Sequence, residues 1–148
     1  MAEFSVTHTY AAAPEQVFDA WLDPAIARRF VFATPTGEMI RAEVDARVGG
    51  AFTFVDRRPD MGDVLHTGEY LEIDRARRLA FTFAVPQFNP DFTTVVVEIT
   101  PAAGGGCNLT LTQSDVPDQW AEGSKDGWTK ILASLEPALS GQKAAAWD

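Results

Sequence analysis

"HTGEYLEIDRARRLAFTF", residues 66–83, contains two runs of alternating apolar and polar residues joined by a short, arginine-rich segment. Alternation with a period of two is typical of half-buried strands, and the segment "RAR", residues 75–77, separates the two runs. The stretch therefore predicts an antiparallel hairpin. It contains no obvious nucleophile and no pair of metal ligands, which favours a structural wall over a reaction centre.

The same strand pattern continues from about residue 39 to residue 114. Short turns such as "PDMGD" and "AAGGG" separate the runs, and such close spacing predicts antiparallel hairpins instead of parallel crossovers. An alternating stretch at Phe4 and Val6 predicts a further strand at the N-terminus. The predicted apolar face of this sheet comprises Phe52, Phe54, Leu71, Ile73, Leu79, Phe81, Phe83, Val95, Val97, Ile99, Leu109 and Leu111.

Helical signals lie at the two ends of the chain. "AAAPEQVFDAWLDP" places Pro14 in a first turn and Val17 and Trp21 on one face, and a second short helix begins at Pro24. Near the C-terminus, the apolar spacing predicts a long helix that contains Trp128, Leu132, Leu135 and Leu139. The fold class is therefore α+β: a curved antiparallel β-sheet wraps around a long C-terminal α-helix, with two short helices near the N-terminus, as a single domain over residues 1–148.

Composition restricts the classes of partner. The 148 residues carry a formal net charge of -9, which opposes binding to nucleic acid or to anionic membranes. The single cysteine, Cys107, excludes an internal disulfide, and neither a signal peptide nor a membrane-spanning run is evident. We therefore expect a cytoplasmic protein, with no nucleic acid and no membrane among its partners.

Few residues suggest catalysis or metal binding. His66 is the most attractive proton carrier, but alternation anchored on Leu71 and Ile73 places it on the opposite, solvent face unless a bulge at Gly68 changes the register. Asp56, Asp60 and Asp63 match no calcium loop and are interpreted as a solvated hairpin turn. No catalytic residue, metal site or cofactor is predicted.

Four stretches in order resemble a known superfamily: "AAAPEQVFDAWLDP", "RVGGAFTF", "HTGEYLEIDRARRLAFTF" and "GWTKILASLEPAL". Together they resemble the helix-grip superfamily of START-like (SRPBCC) proteins, which includes lipid-transfer domains, polyketide cyclases and the birch pollen allergen. The branch named for the activator of the heat-shock-protein-90 ATPase, in its stand-alone bacterial form, is the most similar. The resemblance implies a cavity between sheet and helix for a small apolar ligand. Phe30 stands where many relatives carry a tryptophan, and this departure implies a reshaped cavity mouth.

The aromatic residues support a partly hollow interior, because the sheet has more apolar surface than one helix can cover. Tyr70, Gln113 and Thr112 are candidate polar groups to orient a ligand. The predicted cavity residues are Trp21, Phe30, Phe32, Phe52, Phe54, His66, Tyr70, Phe81, Phe83, Val97, Gln113, Trp120, Trp128 and Leu132.

Three functions follow from these features. The favoured one is non-enzymatic binding of a small hydrophobic or aromatic molecule. The alternatives are a polyketide cyclase or aromatase-like enzyme, which requires His66 or Tyr70 to face the cavity, and a protein-interaction module of the co-chaperone or stress-response type, which uses the outer sheet or the tail at Trp147. Pairing with a second copy of the chain as a homodimer stays open.

Overall fold

The computed structural model describes residues 1–142 and contains one seven-stranded antiparallel sheet with three α-helices. The α-helices are α1 (Pro14–Leu22), α2 (Pro24–Phe30) and α3 (Ala121–Leu139), and a 3₁₀ turn, Asp118–Trp120, precedes α3. The strands are β1 (Ala2–Tyr10), β2 (Glu38–Val44), β3 (Ala51–Arg58), β4 (Gly62–Asp74), β5 (Arg78–Val85), β6 (Asn89–Pro101) and β7 (Cys107–Val116). The tail at Trp147, suggested above as a recognition element, lies outside the described residues.

The sheet has the order β1-β7-β6-β5-β4-β3-β2, so every neighbouring pair except β1–β7 is also consecutive in the chain. The curved sheet, the long C-terminal helix and the short N-terminal helices confirm the α+β helix-grip fold predicted from the sequence. The hairpin predicted from residues 66–83 forms between β4 and β5.

Hydrogen bonds at several points along α3 attach it to the rest of the molecule. The Tyr10 hydroxyl of β1 donates to the Leu132 carbonyl oxygen at 2.7 Å. Arg29 of α2 donates to the Ala138 carbonyl oxygen, and the Trp128 indole donates to the Gln113 side chain of β7. α3 also passes through Gly127 without a break, and Pro137 lies within its last turn.

One predicted strand register is wrong, and a β-bulge is the cause. Tyr70 pairs with Phe81 but Glu72 pairs with Ala80, so Leu71 is an extra residue in β4. The bulge reverses the alternation: Leu71 points outward with 47% of its surface exposed, whereas His66, Gly68 and Tyr70 face the interior. The solvent-face interpretation of His66 is therefore incorrect, and no bulge at Gly68 is involved.

Gly68 is suited to its position because the chain is crowded there. A Cβ atom at this residue would overlap the Thr82 carbonyl oxygen and lie 2.6 Å from Cε2 of Phe52. The absence of a side chain lets Phe52 pack directly over the β4 backbone. The inner face of the sheet is consequently tightly filled at this point.

Candidate functional site

The centre of the gap between the sheet and the helices is filled by aromatic side chains. Trp21, Phe52 and Phe81 are each at most 4% exposed, and the Phe52 and Phe81 ring centroids are 5.4 Å apart in an edge-to-face arrangement. The remaining void has a volume of about 10 Å³. That is at most the space of one water molecule. At this point the predicted cavity residues therefore form a filled core and not a hollow.

A larger space, with a volume of about 510 Å³, lies elsewhere in the molecule. We call this space the cleft. It lies between the β5–β6 hairpin and the segment that leads from β7 into α3. Its lining consists of Phe83, Ala84, Val85, Phe88, Asn89, Asp91, Thr93, Gln113, Val116, Pro117, Gln119, Trp120, Gly123 and Ser124.

A second space of about 150 Å³, which we call the inner chamber, adjoins the cleft. The two share Phe83, Val85 and Ser124 as lining residues. Arg58 and Trp128 also line the inner chamber. The inner chamber and the cleft therefore adjoin along these shared residues.

Phe32 separates the inner chamber from the filled centre, because it lines both the chamber and the central void. Its ring stacks on Phe83 with centroids 4.8 Å apart, and its backbone φ of 60° is unusual for a bulky residue. Arg58 donates from Nη2 to the Phe32 carbonyl oxygen at 3.3 Å. Packing and this hydrogen bond together hold a backbone conformation that an isolated phenylalanine disfavours.

His66 lines the inner chamber as a neutral, stacked ring. It lies 4.4 Å from the Phe32 ring with an interplanar angle of 11°, and only 5% of the residue is exposed. Burial, with a smaller contribution from the Arg58 guanidinium, lowers the pKa of His66 to about 3. At neutral pH, His66 therefore behaves as an aromatic wall residue.

We expect His66 to make the protein less stable in acid. Below about pH 6.5 the unfolded chain binds a proton at this histidine, whereas the folded chain stays neutral until the pH nears its lowered pKa. The free energy of unfolding should then fall by about 1.4 kcal/mol per pH unit from this residue alone. Urea unfolding of wild type and His66→Phe between about pH 7 and about pH 4.5 measures this slope.

The control is Phe92→Leu at an exposed residue, which removes no ionisable group and should keep the wild-type slope. In His66→Phe the free energy of unfolding should fall less steeply with decreasing pH, because one fewer proton is taken up on unfolding. Equal slopes in wild type and His66→Phe would mean that His66 is protonated in the folded state.

A chain of hydrogen bonds crosses the floor of the cleft. The Trp128 indole Nε1–H donates to Gln113 Oε1 at 2.8 Å, and Gln113 Nε2 donates to Thr93 Oγ1 at 2.9 Å. Thr93 donates in turn to the Phe83 carbonyl oxygen at 3.0 Å. These bonds fix the Gln113 amide in one orientation at the base of an otherwise apolar surface.

The acidic residues near the β3–β4 turn do not form a cation site. Asp56 is fully buried and pairs with Arg58 at 3.0 Å, so its interpretation as part of a solvated turn is incorrect. Asp63 pairs instead with the exposed Arg57. Within residues 1–142, no group of three or more His, Cys, Asp or Glu side chains is arranged to hold a metal ion. None of the helices in that range is long and apolar enough to span a membrane.

Comparison with known proteins identifies the family. A family profile described as "Activator of Hsp90 ATPase homolog 1-like protein" matches residues 11–140. The chain belongs to this family. A search of curated protein sequences found no match.

Solved structures of similar proteins share the fold over nearly their whole length. A protein from Chromobacterium violaceum is 25% identical, with a TM-score of 0.79 and with 93% of this chain and 96% of that chain covered. An HSP90 activator from Plasmodium falciparum is 27% identical, with a TM-score of 0.70 and with 95% and 97% covered. An AHSA1-like protein from Aeromonas hydrophila, 22% identical, has a TM-score of 0.79 and coverages of 95% and 93%.

The structure distributes the predicted cavity residues of this family member over the cleft, the inner chamber, the central void and the core. Phe83, Gln113 and Trp120 line the cleft; Phe32, His66 and Trp128 line the inner chamber; Trp21, Phe52, Phe54, Tyr70 and Phe81 surround the small central void. Phe30, Val97 and Leu132 are fully buried and line none of these three spaces.

The structure corrects the predicted positions of Phe30 and Thr112. Phe30 packs edge-to-face on Trp21 with centroids 5.3 Å apart, so it belongs to the core and not to the cavity mouth. Thr112 lies on the outer face, where its hydroxyl contacts Ser5, because its neighbour Gln113 points inward and successive strand residues face opposite sides.

Sequence reasoning missed the residues that form the cleft rim, among them Phe88, Val116, Pro117 and Gly123. Phe88 lies in the turn between β5 and β6, and it is 49% exposed. The stretch "PQFNPD", residues 86–91, contains one aromatic residue between two prolines, and this is the local signal that the sequence offers for the rim.

Proposed function

We propose that the protein binds a small, mainly apolar molecule in the cleft, with the adjoining inner chamber as a second part of the site. The supporting observation is the size and lining of the cleft. Its volume of about 510 Å³ lies within the range of small-molecule sites, roughly 300–1,000 Å³. Phe83, Phe88 and Trp120 supply aromatic surface, while Thr93 and Gln113 supply a few fixed polar groups.

The ionisable groups near this site favour binding over catalysis. The lowered pKa of His66 leaves it without a proton to donate at neutral pH and makes it a weak base. Burial raises the pKa of the Tyr70 hydroxyl, with a smaller contribution from Asp45, so this group also keeps one protonation state near neutrality. A cyclase that relies on either residue for proton transfer is therefore the less favoured function.

Filling the cleft should weaken ligand binding without unfolding the protein. Gly123 lines the cleft, and a Cβ atom at this position would meet no heavy atom within 4 Å. Gly123→Phe should therefore project a ring into the cleft and weaken binding of the neutral dye phenylnaphthylamine by roughly tenfold or more. Dye fluorescence during titration with the protein measures the affinity.

Gly123→Ala is the matched control for this experiment. It adds only a methyl group in the first turn of α3, so dye affinity should stay near wild type while stability rises by about 0.5 kcal/mol. Equal dye affinity in Gly123→Phe and Gly123→Ala would contradict binding in the cleft. Absence of dye binding to the wild type would contradict the proposed function itself.

A protein-binding function is the second candidate. Phe88 and Phe92 are about half exposed in the β5–β6 hairpin, and a relative from Plasmodium falciparum is described as an HSP90 activator. Exposed aromatic side chains of this kind are common in protein interfaces. Measurement of Hsp90 ATPase activity with added protein separates the two candidates, because a protein that only binds small molecules leaves that rate unchanged.

A further inference from the structure

The orientation of the Gln113 amide follows from its neighbours. An indole N–H can only donate, so the Gln113 atom 2.8 Å from Trp128 Nε1 must be the carbonyl oxygen. The amide nitrogen therefore lies on the other side and donates to Thr93 Oγ1. The Thr93 hydroxyl donates its hydrogen to the Phe83 carbonyl oxygen. Donor and acceptor are therefore determined for each hydrogen bond in the chain.

This arrangement leaves one donor at the floor of the cleft. The Gln113 amide nitrogen carries two hydrogens, and among the described residues it contacts only Thr93. Gln113 lines the cleft and is 3% exposed, so its unused N–H is held at a shielded position. A shielded donor without an acceptor is unfavourable, so water or a ligand acceptor should occupy the position opposite it.

The charges around the cleft determine which acceptor fits best. In the adjoining inner chamber, the positive charge of Arg58 is already paired with the buried Asp56. Among the described residues that line the cleft, Asp91 alone is charged, and the chain as a whole has a net charge of -9. Both disfavour a carboxylate or a phosphate in this site. An uncharged oxygen accepts the Gln113 N–H without this repulsion.

We propose that the cleft selects neutral, apolar molecules that carry an uncharged hydrogen-bond acceptor, such as an ester or amide carbonyl, and that the free N–H of Gln113 recognises this acceptor. The proposal rests on the proposed function, since it assigns the ligand class of the same cleft. Gln113 is then the residue that determines specificity. The aromatic residues of the cleft supply affinity for the apolar part of the ligand.

Three naphthalene compounds of similar size test this selectivity by calorimetry or by competition with the dye. Methyl naphthoate carries a neutral acceptor, ethylnaphthalene carries none, and naphthoate carries a negative charge. We expect methyl naphthoate to bind about fivefold tighter than ethylnaphthalene, because one hydrogen bond is gained. Naphthoate should bind roughly tenfold more weakly than the ester because of charge repulsion and desolvation.

Gln113→Met removes the donor while keeping the length of the side chain. In this variant the ester and ethylnaphthalene should bind equally well, whereas the exposed-residue control Gln142→Met should keep the wild-type ratio. If the wild type binds both compounds equally, or if Gln113→Met keeps the preference, the Gln113 assignment is wrong while binding in the cleft stands. If neither compound binds the wild type, the proposed function fails as well.

A measurement on the wild type covers the case in which Gln113→Met does not fold. The side-chain amide signals of Gln113 in a ¹⁵N–¹H correlation spectrum should shift on addition of methyl naphthoate far more than on addition of ethylnaphthalene. The amide of the exposed Gln142 should shift with neither. Equal shifts of the Gln113 amide with both compounds would overturn the proposal.

Discussion

Phe32→Ala is expected to destabilise the protein by about 3 kcal/mol and to open its interior. The ring contacts His66, Phe83 and Trp128 at centroid distances between 4.4 and 5.7 Å, and only 4% of the residue is exposed. Its removal joins the central void to the inner chamber, because Phe32 lines both. Chemical denaturation measures the loss of stability, and benzene should raise the melting temperature of the variant more than that of the wild type.

Two further variants distinguish loss of packing from other effects. Phe92→Ala, at a residue that is 53% exposed, should change stability by less than about 0.5 kcal/mol. Phe32→Gly should be more stable than Phe32→Ala by about 1 kcal/mol, because the φ of 60° suits glycine. A Phe32→Ala variant that is as stable as Phe92→Ala, and indifferent to benzene, would show that Phe32 does not divide the interior.

The strands could be predicted from the sequence because their signals are local. Alternation and short turns predicted the hairpin of residues 66–83, which forms between β4 and β5, and the N-terminal strand at Phe4 and Val6, which lies in β1. The same local signals did not predict which face of the sheet the side chains of residues 66–70 occupy. It depends on the bulge at Leu71, which shifts the pairing of β4 with β5 by one residue and leaves no trace in the apolar pattern.

The position of the binding site depends on contacts between distant parts of the chain. Trp21, Phe52 and Phe81 were predicted to line the cavity between sheet and helix, but their side chains fill the space around them. The cleft is lined by residues of the β5–β6 hairpin and of the start of α3, and Phe88 and Gly123 are 35 positions apart in the sequence. Periodicity in the sequence shows which face of a helix or strand a residue occupies. It does not show where two packed elements leave a space between them.

Asp56→Ala is expected to cost about 4 kcal/mol, because it leaves a buried cation without its partner. The Asp56 side chain is fully buried, and it accepts hydrogen bonds from Arg58 and from the Thr34 hydroxyl. The Arg58 side chain is only 16% exposed, so water cannot fully replace the lost carboxylate. Urea unfolding at neutral pH measures the loss in free energy.

Asp63→Ala is the matched control, because its pair with Arg57 is exposed on both sides and should contribute little to stability. The double variant Asp56→Ala with Arg58→Met should recover part of the loss, since it removes the unpaired charge. A cost for Asp56→Ala no larger than that for Asp63→Ala would contradict the assignment. Because Arg58 also holds the Phe32 carbonyl oxygen, loss of Asp56 should loosen the wall of the inner chamber and weaken dye binding, whereas loss of Asp63 should not.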